Sequence, residues 1–272
     1  MAVENLSLMG STTKDVRAAF QPGGALETVC KTAGRLWKHN IVQEEYAVRV
    51  WDTLNAPVPM NEVERTRVGL LEASTGTGKS LGYLIPLLLW QAMTGERVAV
   101  STYSKSLQRQ IYRDEVPIAI KAVRHMLGIP GWNPPVVIRV GLGNFLSRCK
   151  CERLIEIERN VGTAPDPERV EAVEAIIRWL DVIPNDEETL GTIEEYAATQ
   201  DTGGGSLIVG VENSALTIDQ HEVYGDSEKT NALRGQSYGD TTPNDRPVWR
   251  YLRMSARSRG AALLLINHAL TV

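Results

Sequence analysis

Eight consecutive residues, Ala73-Ser74-Thr75-Gly76-Thr77-Gly78-Lys79-Ser80, carry the densest chemistry in this 272-residue chain. Small side chains and glycines let a backbone curl until several N–H groups point inward, the arrangement that cradles a row of phosphates. Lys79 supplies a point charge that reaches the outer phosphates, and Ser80 a hydroxyl suited to Mg²⁺. The strict form of the pattern opens with glycine where this chain has Ala73, but Gly76 and Gly78 around Thr77 keep the tight turn. Residues 73–80 are thus the expected binding segment for ATP and Mg²⁺, with Lys79 and Ser80 in the catalytic roles. The bland alternative is an unliganded Gly/Ser/Thr turn between two elements.

Such a loop needs a strand before it and a helix after it. Residues 68–72 form a short apolar run consistent with a buried strand, and the helix is expected from Lys79 to about Met93, ended by Thr94-Gly95-Glu96. Residues 97–102 read as the next strand, residues 104–116 as a helix ending before Pro117, and residues 136–140 as a third strand. Alternating strands and helices predict an α/β fold with a parallel sheet and right-handed crossovers. Upstream, Leu26, Val29, Ala33 and Leu36 recur at helical spacing, and residues 43–54 do likewise until Asn55-Ala56-Pro57-Val58-Pro59 breaks the pattern.

Composition sets the bounds. The chain is 43% hydrophobic and 23% charged with a net charge of −4, which is globular and carries no global basic excess. Its three cysteines do not make a disulfide framework, the first residues lack the pattern of a signal peptide, and the longest apolar stretch is too short to span a bilayer. A cytoplasmic protein without membrane contact is the expectation. Composition shifts near residue 147: residues 152–200 hold 13 acidic and 4 basic side chains. Asp166-Pro167-Glu168 reads as a helix start, followed by an apolar stripe of Val170, Val173, Ile176, Ile177 and Leu180, so a helical insertion is expected. Residues 201–205 and 225–247 read as loops. From Arg246 onward the sign reverses, with five arginines and no acid. Arg250, Arg253 and Arg257 would share one helix face, suited to DNA phosphates, while Trp249, Tyr251 and Leu252 bury the other. The alternative is a basic helix paired with the acidic insertion.

The surroundings of the loop resemble a known family. Leu71-Glu72 through Ser80 and on to Leu81-Gly82-Tyr83-Leu84-Ile85-Pro86 is similar to the first helicase motif of the DinG/XPD branch of superfamily 2. Val100-Ser101-Thr102 with Leu107-Gln108 and Gln110 resembles its motif Ia, Gly141-Leu142-Gly143-Asn144-Phe145-Leu146 the opening of its iron–sulfur domain, and Ile266-Asn267-His268-Ala269-Leu270 the element before its DEAH box. The resemblance implies a RecA-like lobe and an ATP-driven translocase moving 5′ to 3′ on single-stranded DNA. It also implies an adenine-reading role for Gln43, whose alternative is a solvated helix face, and phosphate contacts for Ser101, Thr102 and Gln108, with helix capping the competing role of Thr102. The expected organisation is an N-terminal helical segment at 1–55, the first part of the lobe at 56–146, an inserted domain at 147–245, and a basic helix and strand returning to the lobe at 246–272.

Two departures from the family stand out. Its cluster needs four thiolates. Here Ser147 occupies the first ligand position, only Cys149 and Cys151 lie nearby, and no cysteine follows, so no iron–sulfur cluster is expected. Flanking motifs without the cluster resemble the DinG-type helicase of type IV CRISPR systems, which implies a CRISPR ribonucleoprotein as a partner. The second departure is that the family's DEAH box would follow His268, so this chain alone is expected to turn over ATP poorly. Glu212, after an apolar run, and Asp219, two residues before His221, are internal candidates for the magnesium-binding acid. A stand-alone P-loop kinase or ATPase using one of them, and a nucleotide-binding docking module without turnover, are the competing readings.

Overall fold

A computed structural model of the protein describes residues 13–57, 68–160, 166–186, 189–200, 207–208 and 210–267. The chain divides into two compact units, Met1–Ile138 with Gly260–Val272, and Arg139–Arg259. The sequence motifs at residues 268–270, the loop at 201–205 and Val209 lie outside the described residues.

The first unit is α/β. Its elements in chain order are α1 (Thr13–Phe20), α2 (Ala25–Thr32), α3 (Ile41–Asn55), α4 (Lys79–Thr94), β1 (Val98–Thr102), α5 (Lys105–Gln110), α6 (Val116–Leu127), β2 (Val136–Ile138) and β3 (Leu263–Asn267). The strands form a parallel sheet in the order β1-β3-β2. Val98 to Thr102 pair with Leu263 to Asn267 on one side, and Val136 to Ile138 with Leu263 to Leu265 on the other. The last strand in sequence is therefore the middle one in space. α4 is apolar on most sides, and Leu84, Ile85, Leu88 and Leu89 are fully buried. Burial of each such side chain contributes roughly 1.5–3 kcal/mol. Gly95 ends the helix in the left-handed region at φ 72°.

Two expectations are corrected in this unit. Residues 68–72 are not a strand: they run as irregular chain, with Val68 78% and Leu70 93% exposed. A strand is stable only with a neighbour to take its N–H and C=O groups, and no described residue pairs with this run. The helix begun at Lys105 also does not stop before Pro117. A π-helical turn, Ile111–Glu115, joins α5 to α6, with the Val116 N–H donating to the Ile111 carbonyl. Pro117 lacks an N–H, and the wider turn just before it accommodates the missing bond.

The second unit is mostly helical: α7 (Arg148–Asn160), α8 (Pro167–Val182), α9 (Ile193–Thr199), α10 (Gln220–Tyr224), α11 (Ser227–Gly235) and α12 (Arg246–Arg259). Among the described residues its β structure is limited to isolated bridges such as Phe145 to Thr192 and Leu146 to Thr217. Asp166 caps α8, accepting from the Glu168 and Arg169 N–H groups, and Val173, Ile176 and Leu180 face a core that includes Leu146, Cys151 and Leu216. Two boundaries move. Residues 225–247 contain α11, capped by Asp226, rather than loop alone. The basic helix α12 belongs to this unit, not to a segment 246–272 returning to the lobe, because Val248, Trp249, Leu252 and Met254 are buried in it. Among the described residues no helix is long and apolar enough to cross a membrane.

Candidate functional site

The loop before α4 turns twice through the left-handed region, at Gly76 (φ 81°) and Gly78 (φ 76°), where a side chain would be strained. Gly78 has a second reason to be glycine: a Cβ there would lie 2.3 Å from Nε2 of Gln43. The Thr77 hydroxyl donates to the Ser74 carbonyl at 2.9 Å and tightens the loop. Lys79 folds back into it, its ammonium donating to the carbonyls of Ala73 at 2.7 Å and Ser74 at 2.9 Å. The ammonium is thereby held within the loop, next to Ser74, Thr75 and Gly76, which are exposed. α4 starts with no side-chain cap and no acid in its first turn. Its leading N–H groups and the positive end of its dipole thus face the loop without a built-in anion.

The site is positioned from behind by α3. Asn40 caps that helix, accepting from the Val42 N–H at 3.0 Å, and its Nδ2 donates to the Thr77 carbonyl at 3.4 Å. Gln43 donates through Nε2 to the Gly78 carbonyl at 2.8 Å. The two helices close tightly: a Cβ on Gly82 would lie 2.9 Å from the Tyr46 ring. Gln43 is therefore buried and tied to the loop before α4, rather than on a solvated helix face, with its N–H already used on the loop backbone. Sequence reasoning missed this contact. It also missed Tyr83, whose phenol is pushed up by burial and pulled back by the Ser80 hydroxyl beside it.

The residues at the loop fit a nucleotide with Mg²⁺: curled backbone, ammonium, hydroxyl and an open helix start lie together. The residues of the second unit do not fit a four-thiolate cluster. The Ser147 hydroxyl donates to Glu222 at 2.6 Å and accepts the Lys150 N–H at 3.1 Å, while Lys150 pairs with Asp219 at 2.8 Å. Cys149 is exposed, and Cys151 is buried with its thiol pushed up to about 12 by burial, the opposite of a ready metal ligand. Of the two internal acids, Asp219 caps α10 and pairs with Lys150, and Glu212 accepts from the Ser214 hydroxyl.

Burial corrects three of the six expected DNA contacts. Gln108 is fully buried and donates through Nε2 to the Leu265 carbonyl of β3 at 2.7 Å, so it ties helix to sheet and does not reach a phosphate. Thr102 is buried with its hydroxyl donating to the Ser104 carbonyl, and the helix cap is Ser104 instead, accepting from the Leu107 N–H. Arg250 is only 4% exposed, because its guanidinium is enclosed by Tyr238, Pro184 and Gly191. Ser101 and Arg253 are exposed and Arg257 half-buried.

Over 64 residues the chain is 34% identical to the protein named 3′-5′ exonuclease DinG in Staphylococcus aureus, in strains USA300 and NCTC 8325 / PS 47 alike. That segment is 24% of this chain and 7% of the relatives' length. No family model matches the chain.

Proposed function

We propose that the chain is part of a DinG-like enzyme acting on nucleic acid, and that its first unit is a RecA-like motor lobe that binds ATP and Mg²⁺ at residues 73–80. The observation that carries this reading is the pair of left-handed glycines that fold the loop around Lys79 at the open start of α4. In this reading Lys79 leaves the carbonyls of Ala73 and Ser74 for the outer phosphates. Ser80 gives its hydroxyl to the metal, and Gln43 holds the loop and offers its Oε1 toward the base. ATP supplies the free energy that lets such a lobe cycle along a strand.

The finer reading is a 5′ to 3′ translocase on single-stranded DNA, with Ser101 at the end of β1 as the strand contact that exposure supports. The missing thiolates favour the branch associated with CRISPR complexes. The test is binding of a fluorescent ATP analogue with Mg²⁺ to the 272-residue chain. Lys79→Ala is expected to weaken binding by about tenfold or more, the loss of a charged phosphate contact. Equal binding by this variant would remove the nucleotide assignment. Transfer of phosphate to a small molecule would favour a kinase, and tight binding that single strands never convert to hydrolysis in any longer form would favour a docking module.

A further inference from the structure

Two helix starts meet in the second unit, and each is capped by a residue that also holds the other. Ser147 caps α7: its hydroxyl accepts the Lys150 N–H at 3.1 Å and donates to Glu222, the third residue of α10, at 2.6 Å. Asp219 caps α10: its carboxylate accepts the Glu222 N–H at 2.9 Å and the ammonium of Lys150, the third residue of α7, at 2.8 Å. The second Glu222 oxygen is buried and lies 3.7 Å from the same ammonium. The four side chains thus form a crossed pair of caps, closed on itself. Helix starts repel through their positive ends, and the two carboxylates offset that repulsion. The Lys150 ammonium and the Glu222 N–H hold the Asp219 carboxyl below its ordinary range. An ammonium has no lone pair to give a metal, so the crossing is complete without one.

What these caps fasten is held by little else. Residues 216–218 are buried and bonded to the start of α7 through the backbone, the Ser147 N–H to the Leu216 carbonyl at 2.7 Å and the Ile218 N–H to the Phe145 carbonyl at 2.9 Å. Past them the chain changes character. Over residues 219–235, which hold α10 and α11, only Val223, Thr230 and Leu233 are buried. The Thr230 hydroxyl donates to the Val223 carbonyl, a bond within the segment itself. Further ties are polar: Lys229 to Asp245 at 2.6 Å, and the half-exposed Tyr224 to Tyr251. Just past the far end, the Gln236 carbonyl accepts Trp249 Nε1 at 3.0 Å. By contrast, α8 sets Val173, Ile176 and Leu180 into the core. A segment with few buried apolar contacts and exposed backbone hydrogen bonds opens well before the rest of its domain. Partly exposed ion pairs add little to its hold.

We propose that residues 219–235 form a strap that opens and closes as one piece on the folded second unit, and that the crossed caps of Ser147, Lys150, Asp219 and Glu222 are the lock that keeps it shut. One hinge follows Ile218, where burial stops, and the other lies at Gln236. Each helix start depends on the third residue of the other, so releasing one cap weakens both. α10 has five residues, too few to persist as an isolated helix, so it unwinds when the lock opens. Opening bares Val223 and Leu233 while α7 and α8 stay packed on their own core. The inference does not rest on the phosphate loop of the first unit.

The test is hydrogen exchange of the full chain, read by mass spectrometry on peptides from the strap and from α8. The strap is expected to exchange about tenfold faster than α8 or more, once intrinsic rates are divided out. Glu222→Gln keeps the shape of the side chain and removes its charge. It is expected to speed exchange in the strap by about tenfold and to leave α8 unchanged. Lys150→Met loses a part-exposed pair and is expected to speed the strap by about threefold. A metal chelator added to the unaltered chain is expected to change neither rate. The proposal is overturned if the strap exchanges as slowly as α8, if both variants leave its rate unchanged, if α8 speeds up to the same extent as the strap, or if the chelator alone speeds the strap.

Discussion

Glu44 ties α3 to α1 and to the chain that leads into α3. It is 1% exposed on α3, one position after Gln43, and accepts from Arg17 at 2.7 Å, Gln21 at 3.4 Å and His39 at 2.7 Å. Burial pushes its carboxyl up, but the hydrogen bonds from His39, Arg17 and Gln21 outweigh that and hold it below the usual carboxylate range. A carboxyl with a depressed folded-state pKa stabilises the fold above its unfolded value, about 4.3, and loses that contribution as pH falls through the lower folded value. Thermal midpoints are therefore expected to be level above about pH 5 and to fall on the acid side. Glu44→Gln should start lower at neutral pH and lose less on acidification. Parallel curves for the two proteins would assign the acid sensitivity elsewhere. The type of Glu44 was visible in the sequence; its importance was not, since nothing local distinguishes it from Glu45, which is half exposed.

Among the elements, α5 and β3 depend on one side chain. Gln108 spans them by donating to Leu265, in a position with no exposure to water. Gln108→Ala leaves a buried carbonyl without that donor, at a cost of about 1–3 kcal/mol. A urea titration should show this as a lower midpoint with little change in slope, and an unchanged midpoint would mean that water replaces the amide. One cap was legible in advance, Asp166 with Pro167 at the start of α8, whereas the capping box of Thr192 and Glu195 at α9 emerged only in the structure. The strand at 68–72 was misread because its apolar residues satisfy a pattern without a partner to satisfy its backbone.

The whole molecule has one unit assembled from separated segments and one from a continuous stretch. β3 is the middle strand of the first unit, so that unit needs the chain after residue 259. The second unit, Arg139–Arg259, has its own core around Leu146, Cys151, Ile176, Leu180 and Leu216. Expressed alone, it is expected to give a helical circular dichroism spectrum and a single cooperative melt. A chain ending at residue 259 should keep that transition and lose the one belonging to the sheet. If the isolated second unit unfolds without cooperativity, its core is not self-sufficient.

What the sequence determined by itself is local in origin: glycines where the backbone must turn left-handed, Lys79 and Ser80 at a helix start, caps, and the spacing that puts Arg250, Arg253 and Arg257 on one face of α12. Each of these follows from interactions within a few residues. Tertiary structure alone decided which side of α12 was buried, that Gln108 bonds to a strand 157 positions away, and that Gln43 closes against Gly78. Burial and backbone pairing are properties of partners distant in the chain, and the pattern around a residue does not carry them.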